Sequence, residues 1–442
     1  MRGVTGRATA VQDGEGGGPG SGPEPSAAAA GDGSPRAGQA ARPEVFTFGE
    51  TMVALRGSGP LRLGGTMQVS VAGAESNVAI GLARLGHSVR WAGTVGDDEA
   101  GELVLRTLRA EGVEVSGTTV VPGAPTGLLL FEPRLPDVTR VHYYRAGSAG
   151  SRLTAGAVEG AFSAAPPRVL HLTGITPALS ATARTAADRA VQLARRSGAL
   201  VCLDVNFRSR LWTAEEAASV LCEWMPFVDI LIASEDELPL CLPGGGGRSG
   251  GAQETPGFGG AQETPGARGM QETPGAGGAS ARAGGASAGA GGASAGAGGA
   301  SARAGGASAR AGGASAGAGG ASAGPGAAGG DALVADQAGR LLDEGVREVV
   351  VKFGAAGATV HTGDGTLHQP APSVRAVDAV GAGDAFVAGY LSALLDGAGP
   401  AGRLERATTT GAFAVASPGD WEGAPTRAEL GMLGSPPGTV VR

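Results

Sequence analysis

Short, largely apolar runs alternate with segments of helical period over two stretches of the chain, 44–243 and 331–425. "EVFTFGE" (44–50), "SVRWAGTVG" (88–96), "RVLHLTG" (168–174), "ALVCLDVNF" (199–207), "DILIAS" (229–234) and "EVVVKFG" (348–354) read as strands. Their near-continuous apolar character predicts a sheet buried on both faces and therefore mostly parallel. Between them, "ESNVAIGLARLG" (75–86) puts Val78, Ala79, Leu82, Ala83 and Leu85 roughly on one helical stripe, stopped by Gly86. Asp97 or Asp98 can cap the helix "EAGELVLRTLRAEG". Further helices are predicted near 180–196, 213–224, 331–344, 383–395 and 403–416, and a hairpin in "ATVHTGDGTLHQ". The pattern is that of an α/β domain. Two strand-rich pieces, 61–73 and 118–145, lack intervening helices and predict a small separate sheet, such as a lid. In layers of this kind ligands bind beyond the carboxyl ends of the strands.

Composition removes part of the 442 residues from that domain. Residues 1–43 are rich in Gly, Ala, Pro and Ser and predict a disordered tail. In 244–330, "QETPG" occurs three times at nine-residue spacing, and "GGASAGA" or "GGASARA" then repeats every seven residues. A heptad with no large apolar position buries nothing as a coiled coil. The block is expected to be a flexible insertion in a surface loop, which loop-closure entropy tolerates well. Residues 426–442 are expected to be a carboxyl-terminal tail.

A net charge of -7 argues against a nucleic-acid binder. Cys202, Cys222 and Cys241 lack metal or redox spacing and suit a reducing compartment. No run is apolar and long enough for a signal peptide or a membrane span, so a soluble cytoplasmic protein is expected. Lys352 is the only lysine, and Asn77 and Asn206 are the only asparagines. In a chain so biased towards Gly, Ala and Arg, these positions stand out as ones that need their side chains.

"DAVGAGDAF" (378–386) lies where a loop becomes a helix. Gly381 and Gly383 let consecutive N–H groups converge, and the helix N-terminus adds positive potential. That is a cradle for a phosphate, with the amides of Ala382 and Gly383 as its donors. An aspartate beside it has a chemical task if it takes a hydroxyl proton during phosphoryl transfer, which makes Asp384 a candidate general base. The bland alternative is a first-turn acid that stabilises the helix dipole. Neither GxxxxGK[ST] nor a third dinucleotide glycine is present, since position 386 is Phe386.

The chain resembles the ribokinase-like (PfkB-type) carbohydrate kinases over 44–243 and 331–425. "AGAESNVAIGLARLG" (72–86) with "VGDDEAG" carries the likeness near the start, and "DAVGAGDAFVAGYL" (378–391) near the end. The resemblance implies a three-layer α/β/α sandwich with a small β lid over the sugar. It implies Asp384 as catalytic base and Gly381, Ala382 and Gly383 as anion hole. Gly73 and Asn77 would contact the sugar, with Ala72 in place of a first glycine. Glu237 would organise water around the Mg²⁺ of Mg-ATP, with Ser234 in place of the usual Asn. Lys352, Gly354 and Gly357 would lie beside the nucleotide phosphates. Asp378 would hold a monovalent cation such as K⁺. Relatives often pair through their lids, which implies a homo-oligomer.

"VHYYRAGSAGSRL" (141–153) sets Tyr143 and Tyr144 beside Arg145, and "DVNFRSRLW" (204–212) holds Asn206 and Arg208. Two arginines near the pocket favour a carboxylate on the substrate. The pairing is similar to that of 2-keto-3-deoxygluconate kinases, so a sugar acid is expected. A fructokinase or ribokinase acting on a neutral sugar is the alternative, and a catalytically silent sugar-binding regulator is a third reading. His142 and His171 are expected to be packed lid or core residues.

Overall fold

The computed structural model describes residues 42–135, 138–244, 327–436 and 439–440. The expected tail at 1–43 and the repeat insertion at 244–330 lie outside the described residues, save for 42–43, 244 and 327–330. The chain forms β1 (Val45–Phe48), β2 (Met52–Gly57), β3 (Met67–Ala72) and α1 (Ala74–Arg84). Then come β4 (Val89–Ala92), β5 (Thr94–Gly96), α2 (Glu99–Ala110), β6 (Thr119–Val121), β7 (Leu128–Leu135) and β8 (Val138–Tyr144). After α3 (Ala155–Ser163) follow β9 (Val169–Thr173), α4 (Ile175–Leu179), α5 (Ala181–Ser197), β10 (Leu200–Asp204), α6 (Ala214–Trp224) and β11 (Ile230–Ser234). The last part holds α7 (Ala327–Asp343), β12 (Glu348–Lys352), β13 (Ala358–Thr362), β14 (Gly365–Gln369), α8 (Ala382–Leu395) and α9 (Pro400–Val415).

The central sheet has eight strands in the order β14-β13-β12-β11-β10-β9-β1-β4. It is parallel from β12 to β4, and the β13–β14 hairpin extends it antiparallel at one edge. The apolar runs are continuous because both faces are covered. Leu170 and Leu172 of β9 pack with residues of α3, α5, α6 and α7. Val169 packs on the other side with residues of α1, α2, α8 and α9. Each large aliphatic side chain withdrawn from water in this way contributes about 1.5–3 kcal/mol. Capping sets the helix starts. Asp98 accepts from the Gly101 amide at 2.7 Å, and Thr213 and Glu216 form a reciprocal box at the start of α6.

A four-stranded sheet, β3-β2-β7-β8, forms the lid. It differs from expectation in three places. Residues 61–63 form a 3-10 turn rather than a strand, and the unforeseen β2 pairs with both β3 and β7. β6 joins β5 in a separate two-stranded sheet. The single strand expected over 88–96 is broken at Gly93, where a Cβ would lie 2.2 Å from the Trp91 ring. The segment from 426, expected to be a tail, begins packed: its Arg427–Met432 turn is capped by Thr426 and Glu429, and Arg427 Nε donates to the Leu85 carbonyl at 2.8 Å.

Candidate active site

The carboxyl ends of β9 to β12 and the N-terminus of α8 open into one cleft beneath the lid, about 860 Å³ in volume. All the site residues expected from the sequence line it except Ala382, Asp378, Gly354 and Gly357.

The turn into α8 is fixed by Gly381. Its φ of +74° is left-handed, and a Cβ there would come within 1.7 Å of the Asp420 carbonyl oxygen. α8 then starts with Ala382, Gly383 and Asp384. The Ala382 amide donates to the Ala379 carbonyl at 3.3 Å, and the Ala385 amide donates to Gly381 at 2.9 Å. Among the described residues the amides of Gly381, Gly383 and Asp384 are left without a partner in this turn, so of the expected donors Ala382 is the one engaged, and Asp384 adds a donor that was not expected. A Cβ on Gly383 would find only Lys352 Nζ near it, at 3.8 Å, so the space beside Gly383 is open.

Asp384 is half-buried on the floor of this space. Desolvation pushes its carboxyl up to about 7; the hydrogen bond from Asn77 opposes that rise, Asp204 adds to it, and Arg208 and Lys352 counter it. Asn77, from the second turn of α1, donates Nδ2 to Asp384 Oδ2 at 2.8 Å. Its own Oδ1 is buried with no partner among the described residues, an acceptor open to a hydroxyl donor. Gly73 precedes α1, where a Cβ would meet the Glu50 carbonyl at 2.5 Å.

Lys352, at the end of β12, donates to Asp204 Oδ1 at 2.9 Å. Burial works against its charge, yet Asp204 and Glu237 hold its pKa above the usual lysine value, so it stays protonated. Glu237 binds two loops together: Oε1 accepts the Phe207 amide at 2.7 Å and Oε2 the Ser234 amide at 2.8 Å. Asn206 is the one non-glycine residue at positive φ among the described residues, at +41°, and it lies in the cleft wall. Gly354 and Gly357 belong to the turn after β12, beyond the cleft lining.

The two arginines differ. Arg145 pairs with the buried Glu50 and lies 5.8 Å from the Tyr143 ring centroid, so its charge is answered within the protein. Arg208 is exposed at the cleft and, among the described residues, makes one hydrogen bond, to the Phe207 carbonyl at 3.0 Å. Tyr143 lines the cleft, whereas Tyr144 is 60% exposed outside it. His171 is buried on Thr47 Oγ1 at 2.9 Å, as expected of a core residue, whereas His142 pairs with Glu132 in the lid and keeps its side chain 36% exposed.

Four acids of the site went unread in the sequence: Asp204, Glu75, Glu50 and Asp420. Asp204 lies in the quoted "DVNFRSRLW", where only Asn206 and Arg208 drew attention. Glu75 lies in the quoted "AGAESN", where an acid in a first helical turn looks ordinary. It is buried, accepts the hydroxyls of Thr173 and Thr176 at 2.7 Å each, and has its pKa raised by desolvation. Glu50 carried no local signal.

Residues 42–243 and 321–427 match the family described as pfkB family carbohydrate kinase. The chain is 29% identical over 409 residues to the 2-dehydro-3-deoxygluconokinase of Bacillus subtilis strain 168, covering 90% of this chain and 97% of that protein. It is 35% identical over 204 residues to the 2-dehydro-3-deoxygluconokinase of Thermoproteus tenax, covering 45% of this chain and 61% of that one. Among solved structures, the fructokinase of Xylella fastidiosa with bound ATP superposes with a TM-score of 0.59 at 20% identity, over 88% of this chain and 98% of that one. With the layered sheet, the β lid and the turn into α8 in agreement, the chain belongs to the pfkB family of carbohydrate kinases and is an enzyme that phosphorylates a sugar.

Proposed function

We propose that this enzyme transfers the terminal phosphoryl group of ATP to the primary hydroxyl of 2-keto-3-deoxygluconate. The observation that carries the chemistry is Asp384: a carboxyl poised at about 7, fixed by Asn77, directly beside two unpartnered helix amides. A base is most useful when its pKa lies near the working pH. The sugar hydroxyl donates to Asp384, which takes its proton as the oxygen attacks the γ-phosphorus. The bond from that phosphorus to the bridging oxygen breaks, and ADP leaves with the electron pair. The amides of Gly383 and Asp384, with the α8 N-terminus, face the charge on the transferring group.

Lys352 is the cation on the nucleotide side and exchanges Asp204 for a phosphate oxygen when ATP is present. Among the described residues no cluster of acids, His or Cys is placed to hold a metal ion by itself, so Mg²⁺ is read as arriving on the phosphates, whose charge it neutralises. Glu237, whose oxygens each accept one backbone amide, would use its remaining lone pairs to accept from waters carried by that ion.

The sugar acid is supported by the names of the B. subtilis and T. tenax relatives and by Arg208 at the mouth of the cleft. Arg145, already matched by Glu50, orients the lid wall rather than supplying spare charge. ADP release measured across 2-keto-3-deoxygluconate, fructose and ribose tests the proposal. Preference for the sugar acid is expected, and equal or better turnover of fructose would refute the substrate assignment.

A further inference from the structure

Asp378 opens the segment leading into α8, the position that the family resemblance gives to a monovalent cation. The surroundings of this carboxylate do not fit such an ion. Arg56, on lid strand β2, reaches across to it: Nη1 donates to Asp378 Oδ2 at 2.9 Å, and Nη2 donates to Asp420 Oδ1. The guanidinium carbon also lies 4.0 Å from the centroid of the Phe131 ring, on the neighbouring strand β7. Asp378 Oδ1 accepts the Val380 amide at 3.1 Å, and Oδ2 additionally receives the Gly419 amide at 3.4 Å. Both oxygens are engaged, and the charge beside them is already positive. A K⁺ on Asp378 would have to share the carboxylate with a guanidinium whose side chain is only 18% exposed, where water screens little of the repulsion.

The same contacts brace the anion-binding turn. Val380 immediately precedes Gly381, and the Asp420 carbonyl is the group against which Gly381 is seated.

We infer that Arg56 is a built-in cation: its guanidinium takes the place beside Asp378 and braces the turn into α8, so that turnover needs no monovalent metal ion. Arg56 touches no reacting atom and is a positioning residue. The inference rests on Gly383 and Asp384 being the phosphoryl-transfer site.

The test compares wild type, Arg56→Gln and Arg56→Lys in KCl and in tetramethylammonium chloride at equal ionic strength, by turnover of 2-keto-3-deoxygluconate with Mg-ATP and by melting temperature without substrates. Wild type is expected to turn over and melt alike in both salts. Arg56→Gln is expected to lose about tenfold in kcat in tetramethylammonium, less than the roughly 10²–10³-fold cost of removing a donor that touches the transition-state charge, because Arg56 acts through the turn. KCl should restore part of that loss and raise this variant's melting temperature. Arg56→Lys, which keeps a positive charge, should remain indifferent to the salt. Activation or stabilisation of the wild type by K⁺ over tetramethylammonium overturns the inference. So does full turnover of Arg56→Gln in the tetramethylammonium salt. If Arg56→Gln does not fold, the wild-type and Arg56→Lys comparisons still decide. A chain inactive on every sugar would sink the proposed reaction, while the melting comparison would continue to test the built-in cation.

Discussion

Replacing Asp384 by Asn should make the enzyme more stable and almost inactive, and the gain should depend on pH. Moving a carboxyl from 3.8 to about 7 weights its neutral form by about 4 kcal/mol. Water in the cleft makes that an upper bound. In the unfolded chain Asp384 ionises near 3.8, and in the fold near 7. Between those values the folded enzyme holds a proton that the unfolded chain has released, so stability falls as pH rises and levels off above about 7. Asn does not titrate and keeps an oxygen for the Asn77 amide. At pH 5 most of the difference has yet to develop, and by pH 8 a further 3 kcal/mol or so has accumulated, worth several degrees of melting temperature. Thermal unfolding of both proteins at pH 5 and pH 8, with turnover at pH 8, tests this. The variant should gain on the wild type between the two pH values while kcat falls about 10²–10⁴-fold. An equal difference in melting temperature at both pH values, or turnover within tenfold of wild type, would refute the reasoning.

Asp204→Asn removes a negative charge that helps raise the Asp384 pKa, so the acid limb of kcat/KM should move to lower pH; a limb still near 7 would show that burial alone sets it. Arg208→Ala should raise KM for the sugar acid about tenfold and leave KM for fructose unchanged, in line with loss of one charge-assisted hydrogen bond, while the acid limb moves to higher pH for both substrates because a cation that lowers the Asp384 pKa is gone. If both substrates weaken together, Arg208 does not read the carboxylate. Gly381→Ala forces a side chain into a left-handed turn and against the Asp420 carbonyl; a loss of about 2 kcal/mol or more in stability is expected by denaturant unfolding, and an unchanged midpoint would contradict the geometry of that turn.

What could be read in the sequence was local. β9, β10, β11 and β12 appeared as apolar runs because both of their faces are covered, and the starts of α2 and α6 carry acids or Thr in capping position. β2 escaped because "MVALRG" follows β1 after only three residues, and half of its length is partly exposed. Asp384 and Asn77 were each found from their own motif, yet nothing local says that residues 307 positions apart share a hydrogen bond. Arg56 was wholly silent: its two acids lie 322 and 364 positions away, and an arginine near a strand end ordinarily points into solvent. Pairing across such distances is a product of the folded topology. The shift of the free amides from Ala382 to Asp384 likewise depends on one carbonyl, that of Ala379, turning inward.

The chain's single lysine has a practical consequence. An amine-directed acylating reagent meets one ε-amino group along all 442 residues, and it is the one held by Asp204 at the edge of the cleft. Chemical labelling, read as a mass increment on the peptide containing Lys352, therefore reports from one address without any engineered tag. Because the amine is protonated and paired, that address should label slowly at rest, and a nucleotide phosphate in contact with it should change the rate.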